Sequence, residues 1–437
     1  MVSNRFEVCE NRRVTLSIDG PTTLSPARIR WALLALALGG FGIGSTEFVA
    51  MGLLPDIAQD LFPARYADSP ADANAAAGWL ISAYALGVVV GAPTIAAAAA
   101  RWPRKQLLLA LVTAFTLGTV ASALLPTFEL VLIARFVSAL PHGAYFGIAS
   151  LVAASLMGPG KRARGVALVL SGLTIANVIG VPAITWLGQI AGWRIAYLAV
   201  AAIFALTFVA VLLAVPWQAG DPGATIAREL RAFTRAQVWF ALGIGAIGFG
   251  GLFAVYTYVA PLATEVTGLS PEFVPIVLVV IGLGMTLGNI VGGRLADWSV
   301  RRSMYLFFTI LAAALVLLGL TAASPVGLLA GVFLVGGASA ALSPTIQARL
   351  MDVARDSQSI AAALNHSALN VGNSLGALFG GFAIAVGLGY VAPVWIGLVL
   401  TLVGIALAVG SYALDRARGR RGVSVPYATG AVRAIEA

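Results

Sequence analysis

Charge is what this sequence has least of. Asp, Glu, Lys and Arg make up 10% of its 437 residues, where a soluble domain of ordinary composition carries about a quarter. A water-exposed surface over most of the chain is thereby excluded. Cysteine is nearly missing: Cys9 is the only one, so no disulfide forms within the chain. There is no HExxH pair, no Walker loop and no dinucleotide fingerprint. The lack of a nucleotide loop argues against a primary pump, and no catalytic set survives inspection. One faint enzyme pattern, Gly337-Ala-Ser339-Ala with His366, lacks the glycine expected after the serine of an intramembrane protease.

What the chain has in abundance is hydrophobic residues, 59% of the total, with a mean hydropathy of +0.94. The breaks between hydrophobic runs alternate between two kinds. One kind is basic: Arg101-Trp-Pro-Arg104-Lys105, Lys161-Arg162-Ala-Arg164, Arg228 to Arg235, Arg301-Arg302, Arg349 to Arg355, and Arg416 to Arg421. The other kind, around Pro126, Ser270 and Pro325 and from Gly387 to Val391, has no Lys or Arg, and only Arg65 and Arg194 mark the remaining two. Positive residues stay on the cytoplasmic side of a membrane. The alternation therefore predicts about twelve spans, with both termini on the cytoplasmic side of the membrane. The net charge of +9 is spread over these loops and tails. That distribution fits contact with anionic membrane lipids and leaves no compact basic surface for nucleic acid. The first run begins near Arg30 and reads as a retained span, because no small-residue cleavage site precedes it.

Helices are expected at roughly 30–54, 75–99, 106–125, 128–157, 165–189, 194–215, 238–263, 273–297, 304–322, 326–348, 359–386 and 391–414, each long enough to cross ~30 Å of hydrocarbon. The longest polar interruption divides them six and six. The expected organisation is an N-terminal tail 1–29, a six-helix half 30–215, a linker 216–237 carrying a short surface helix near Arg228-Glu-Leu-Arg231, a second half 238–414 and a tail 415–437. Landmarks recur between the halves. Arg104 and Arg301 stand 197 residues apart behind matching glycine-rich stretches, and Asn177-Val-Ile-Gly180 and Asn373-Ser-Leu-Gly376 stand 196 apart. Two offsets that agree point to a duplicated six-helix unit, the architecture of secondary transporters.

Four segments carry a family resemblance. They are Gly44-Ser-Thr-Glu47-Phe48-Val-Ala-Met-Gly52-Leu-Leu-Pro55-Asp56, Leu132-Ile-Ala-Arg135-Phe, Gly180-Val-Pro182 through Gly192-Trp193-Arg194, and Ala363-Leu-Asn365-His366-Ser-Ala-Leu-Asn370-Val-Gly372-Asn373. The chain resembles the major facilitator superfamily from about Leu36 to Leu414. Within that superfamily it resembles the bacterial twelve-span drug:proton antiporters of the arabinose-efflux and chloramphenicol-exporter subgroup. The resemblance implies an all-α integral membrane fold of twelve transmembrane helices in two six-helix pseudo-repeats. Two departures are visible. The loop after the second span lacks the family's usual Asp, reading Ala96 to Ala100, and Val181 separates Gly180 from Pro182.

Of the eighteen acidic residues only Glu47 falls well inside a predicted span, and of the 27 basic ones only Arg135. Charges at membrane depth face the bundle interior and mark function. Counted along their helices, both lie about 10–12 Å below the outer surface. Glu47 is therefore the expected proton carrier, with Arg135 near enough to tune it, since burial and a neighbouring guanidinium act in opposite senses on a carboxylate's hold on its proton. Arg135 equally suits organising backbone carbonyls. Arg135, Ser138, His142 and Tyr145 share one face of the fourth helix. There His142 is either a proton relay or a neutral hydrogen bonder between helices.

For the substrate cavity the candidates are His366, Asn370 and Asn373 on the eleventh helix, Phe253 and Tyr256 with Phe249 on the seventh, and Tyr84, Tyr145 and Asn177. The bland alternative is helix–helix glue. Arg104, Lys105, Asp297, Arg301 and Arg302 are candidate gate elements, or plain topology determinants. Together these readings predict a monomeric transporter, not an enzyme, working by alternating access. It would need no cofactor and be driven by the proton gradient, exporting small, moderately hydrophobic compounds such as chloramphenicol. A proton-coupled symporter or exporter of a metabolite such as a sugar is the alternative.

Overall fold

The hydrophobic runs fold as helices in the computed structural model, which describes residues 24–99, 101–158, 162–220, 234–354 and 358–420. Cys9, the expected surface helix near Arg228, most of the linker and most of both tails lie outside the described residues. Among the described residues, eleven helical stretches are long and apolar enough to cross a bilayer. We label them α1 (Pro26–Gly52), α2 (Pro70–Ile95), α3 (Arg104–Leu124), α4 (Phe128–Met157), α5 (Gly165–Ala191), α6 (Trp193–Ala214), α7 (Ala236–Thr257), a double-length stretch Pro271–Thr321, α10 (Pro325–Val353), α11 (Leu364–Ala385) and α12 (Ala392–Ala417). The double-length stretch holds 51 residues, about 76 Å of helix at 1.5 Å per residue, which is more than twice the hydrocarbon thickness. It breaks at Ser299, whose backbone is extended at φ −164° and ψ 103°. The parts on either side are α8 (271–298) and α9 (300–321), and the spans among the described residues number twelve.

Local chemistry sets the ends and the irregularities. The Ser25 hydroxyl accepts from the Arg28 amide, with Pro26 opening α1. The α1–α2 connection is itself helical, in two short pieces, Leu54–Leu61 and Pro63–Asp68. Pro55 and Pro63 stand in their first turns, where a missing amide hydrogen costs nothing. Pro141 interrupts α4, dividing it into Phe128–Ala139 and His142–Met157. Gly192 turns the chain from α5 to α6 at φ +93°, a conformation open to glycine at little cost. A π-turn, Ala176–Gly180, widens α5 at Asn177.

The outward surface is apolar: Leu213, Leu320 and Val326 are 71, 72 and 76% exposed. Such a face is stable against lipid, where helices satisfy their own backbone polar groups. The interior is held by close approaches at glycine. A Cβ on Gly172 of α5 would lie 2.0 Å from the Ala37 carbonyl of α1.

Among the described residues, hydrogen bonds link α1–α6 to α7–α12 from mid-depth to the end remote from the chain tails. Asn74 Nδ2 donates to Tyr390 Oη at 2.8 Å, Gln189 Nε2 to the Pro271 carbonyl at 2.8 Å, and Ser82 Oγ to the Ser374 carbonyl at 3.4 Å. Gly282 of α8 presses on α5, where an added Cβ would stand 2.3 Å from the Asn177 carbonyl oxygen. The remote end is closed by these contacts. Gly282→Ala is expected to wedge α5 from α8 and disfavour this conformation by ~1–3 kcal/mol. In a Cys9→Ser background, a cysteine placed at Thr185, fully buried in this seam, should react faster with a thiol reagent when Gly282→Ala is added. An unchanged rate would mean the helices adjust without parting.

Candidate functional site

The interior of the bundle carries few charges, and two of them, Glu47 and Arg135, converge on one turn of α1. Among the described residues Glu47 is the only buried carboxylate, 5% exposed, and Arg135 is 1% exposed. Glu47 sits late in α1, where the helix crosses between the two sets of spans. Its Oε1 accepts from Asn373 Nδ2 of α11 at 3.4 Å, a contact that bridges α1–α6 and α7–α12. Phe48, the next residue, stacks on Tyr256 of α7 at 5.2 Å and lies parallel to Phe253 at 6.3 Å. One turn of α1 thus meets both α7 and α11.

Arg135 reaches the same turn from α4, but it makes no ion pair with Glu47. Its Nη1 donates to the Thr46 carbonyl at 3.0 Å and to Thr46 Oγ1 at 3.1 Å. Its guanidinium lies 4.3 Å from the Tyr84 ring centre and 5.4 Å from that of Tyr197, so aromatic faces supply much of its stabilisation in place of a carboxylate. Nε and Nη2 have no hydrogen-bond partner among the described residues. The backbone-organising role left open from the sequence is the one this conformation displays.

Pro141 restarts α4 at His142, and the break aims that imidazole toward α2 and α11. His142 Nδ1 lies 3.2 Å from Tyr84 Oη. Its ring centre is 6.3 Å from that of His366, and Phe146 stacks on His366 at 5.5 Å. Tyr84 consequently touches both the Arg135 guanidinium and the His142 ring. Tyr84→Phe keeps the first contact and deletes the second. The expected cost is ~1 kcal/mol, visible as a small fall in thermal stability of the purified protein, with a larger fall showing that His142 loses its orientation.

The other sequence candidates sort by their contacts. Asn370 Nδ2 donates within its own helix to the His366 carbonyl at 3.0 Å. The Oδ1 atoms of Asn177, Asn370 and Asn373 and the Tyr256 hydroxyl are buried without a partner among the described residues. Unmet hydrogen-bonding groups at the seam are what a polar ligand would satisfy. Phe48, Phe253, Tyr256 and Asn373 are each at most 5% exposed, so in this conformation the cluster is closed on itself and lines no open cavity. Tyr145 lies elsewhere. Its hydroxyl donates to the Leu36 carbonyl of α1 at 2.9 Å, in the space left by Gly39. It packs α4 on α1.

The gate candidates stay within their own six spans. Arg104 bonds through its amide and Nη1 to Gln218, at 2.9 and 3.4 Å, and Lys105 Nζ donates to the Leu212 carbonyl at 2.7 Å. Arg104 thereby ties the start of the linker to α3, and Lys105 ties the end of α6 to it. Arg301 lies over Tyr412, and Arg302 over Trp298. Asp297 is exposed and has no ion-pair partner among the described residues.

Sequence reasoning missed two residues. Phe48 is the aromatic centre of the seam, although it stands beside Glu47 in the same segment. Arg349, read from its loop-like neighbourhood as a topology charge, is only 7% exposed. It donates to Gln237, Ser411 and Asp415 at 3.2, 2.9 and 2.6 Å, bracing α7, α10 and α12. The four-residue step from Ser411 to Asp415 was the available signal.

With this geometry in hand, the chain matches the family model of the Major Facilitator Superfamily over residues 36–298 and 242–430. It is 40% identical over 364 residues to the inner membrane transport protein YdhP of Escherichia coli, covering 83% of this chain and 91% of that one. It is 33% identical over 380 residues to a chloramphenicol resistance protein of Streptomyces lividans, covering 86% and 95%. Among solved structures, a D-xylose-proton symporter superposes with a TM-score of 0.67 at 17% identity, over 86% of this chain and 97% of the other. That likeness is one of fold.

Proposed function

Since the chain belongs to the Major Facilitator Superfamily and is a multi-pass membrane transporter, we propose that it exports small, moderately hydrophobic compounds in exchange for protons. The observation that carries this reading is Glu47, a lone buried carboxylate whose hydrogen bond to Asn373 spans the seam between the two sets of spans. A group in that position changes its surroundings whenever the halves move. Its proton affinity and the conformational equilibrium are therefore linked.

The cycle follows from the contacts. With the remote end closed, separation of the halves at the tail end would expose Glu47, the unpartnered amide oxygens and the Phe48–Tyr256 faces to an incoming ligand. The basic loops put that end in the cytoplasm, with both termini there. Substrate entry displaces the Glu47 proton, the halves rock, and the remote contacts through Asn74, Gln189 and Ser82 break to release the substrate outside. Proton binding at Glu47 resets the seam. Arg135, held to Thr46, fixes the turn of α1 that presents Glu47 and supplies a positive field when the carboxylate ionises. Aromatic faces combined with amide acceptors suit a neutral aromatic compound bearing hydroxyl or amide donors. Chloramphenicol is the first candidate, in keeping with the 33%-identical resistance protein.

Drug accumulation in cells expressing the protein tests this reading. Chloramphenicol within a broad panel should accumulate less than in control cells, and a protonophore should erase the difference. Unchanged accumulation of every drug, with the protein verified in the membrane, would defeat the drug-export assignment and favour transport of a metabolite.

A further inference from the structure

One concavity on the described surface is unrelated to the seam. It is a groove of 840 Å³ between α1, α5 and α6, floored where Gly172 meets Ala37 and walled by Leu38, Phe41 and Leu213. Every side chain lining it is apolar except Arg28, at its end. Arg28 is exposed, its guanidinium is without a partner among the described residues, and Trp31, 66% exposed, stands one turn deeper.

Depth identifies what fits. Along α1 the groove runs from Arg28 to Phe41, about 20 Å at 1.5 Å per residue. Half of a ~30 Å hydrocarbon core is ~15 Å, so the groove spans one leaflet plus its headgroup region. The α5 and α6 residues that line it fall in the same, tail-side half of the bundle. An apolar trough one leaflet deep, with an unpaired cation at headgroup level and a tryptophan at the interface, has the shape and charge of a seated phospholipid. The cation selects the headgroup's sign, and the basic loops that share this end would face the leaflet rich in anionic lipid.

We propose that this groove is a binding site for one anionic phospholipid, its phosphate and anionic headgroup on Arg28 and its acyl chains along α1 between α5 and α6. The site lies within α1–α6 and away from Glu47. It does not depend on what the protein transports.

The test is lipid retention by the full chain. Protein reconstituted in nanodiscs holding equal phosphatidylglycerol and phosphatidylcholine of the same acyl chains is extracted into mild detergent, and the lipid it keeps is quantified by native mass spectrometry. Phosphatidylglycerol should be enriched several-fold among singly lipidated molecules. Arg28→Gln, a surface change that leaves the bundle intact, should abolish the enrichment while lipid is still retained. Ala210→Phe, which fills the groove from α6, should lower retention of both lipids. Equal retention of the two headgroups by the parent chain would overturn the proposal, as would an enrichment that survives Arg28→Gln. Displacement of the retained lipid by chloramphenicol would also overturn it, making the groove a substrate seat.

Discussion

Glu47→Gln is expected to reduce drug export to the level of cells lacking the protein while leaving the bundle folded. Gln has nearly the same shape, and its amide oxygen still accepts from Asn373, so the seam contact at 3.4 Å survives. The lost property is the ability to pick up and release a proton, which no other carboxylate among the described residues can supply from the interior. The linkage has a definite sign. If proton and substrate compete, substrate binds the proton-free form, so affinity tightens as pH rises, by up to about tenfold per pH unit for a single proton. It levels off once Glu47 is deprotonated in the free protein. In Glu47→Gln the slope should vanish and affinity become independent of pH. Substrate binding to purified protein across a pH series measures it directly. A slope that persists in the variant would remove Glu47 from the coupling and leave the superfamily membership untouched.

Arg135→Ala should be the most damaging change to both stability and transport. The guanidinium holds Thr46 through two hydrogen bonds and lies over two tyrosine rings. Charge-assisted hydrogen bonds are worth ~1.5–3 kcal/mol each, and a desolvated cation–π contact ~2 kcal/mol. Their joint loss is several kcal/mol even after discounting for overlap, and the deletion leaves a cavity between α1 and α4. Arg135→Lys separates the two roles. A lysine retains charge and can donate to Thr46, where both bonds leave one nitrogen, but it cannot reproduce the flat contact with Tyr84. Thermal stability should recover in part, with export remaining well below that of the parent. If Arg135→Ala exports normally at matched membrane levels, the residue serves packing alone.

The choice of these two residues rested on a rule the sequence makes visible: charge at membrane depth is expensive. Glu47 and Arg135 stood out because nothing nearby is charged, and both prove buried. The same rule failed for Arg349. Its α10 extends several residues beyond the predicted end, and the residues that bury it come from α7 and α12, 112 and 62 positions away along the chain. The shared face of Arg135, Ser138, His142 and Tyr145 carries across the break at Pro141, but its residues serve different neighbours. Arg135 and His142 both meet Tyr84, and Tyr145 meets α1. Periodicity groups residues on a face, and the packing around the face decides what each one touches.

By itself the sequence determined the solvent, the number of spans and the superfamily. Hydropathy and loop charge report what surrounds each segment, and the environment of a helix in lipid is a local property of its residues. The α8–α9 join at Ser299 altered no span. Partnership was decided only in the tertiary structure. Asn373, 326 residues from Glu47, became its hydrogen-bond partner because α1 and α11 meet at one depth, and Arg135 chose a backbone carbonyl over the carboxylate beside it. Hydrogen bonds act over about 3 Å, and no pattern along a chain encodes which distant atoms the packing of twelve helices will bring within that reach.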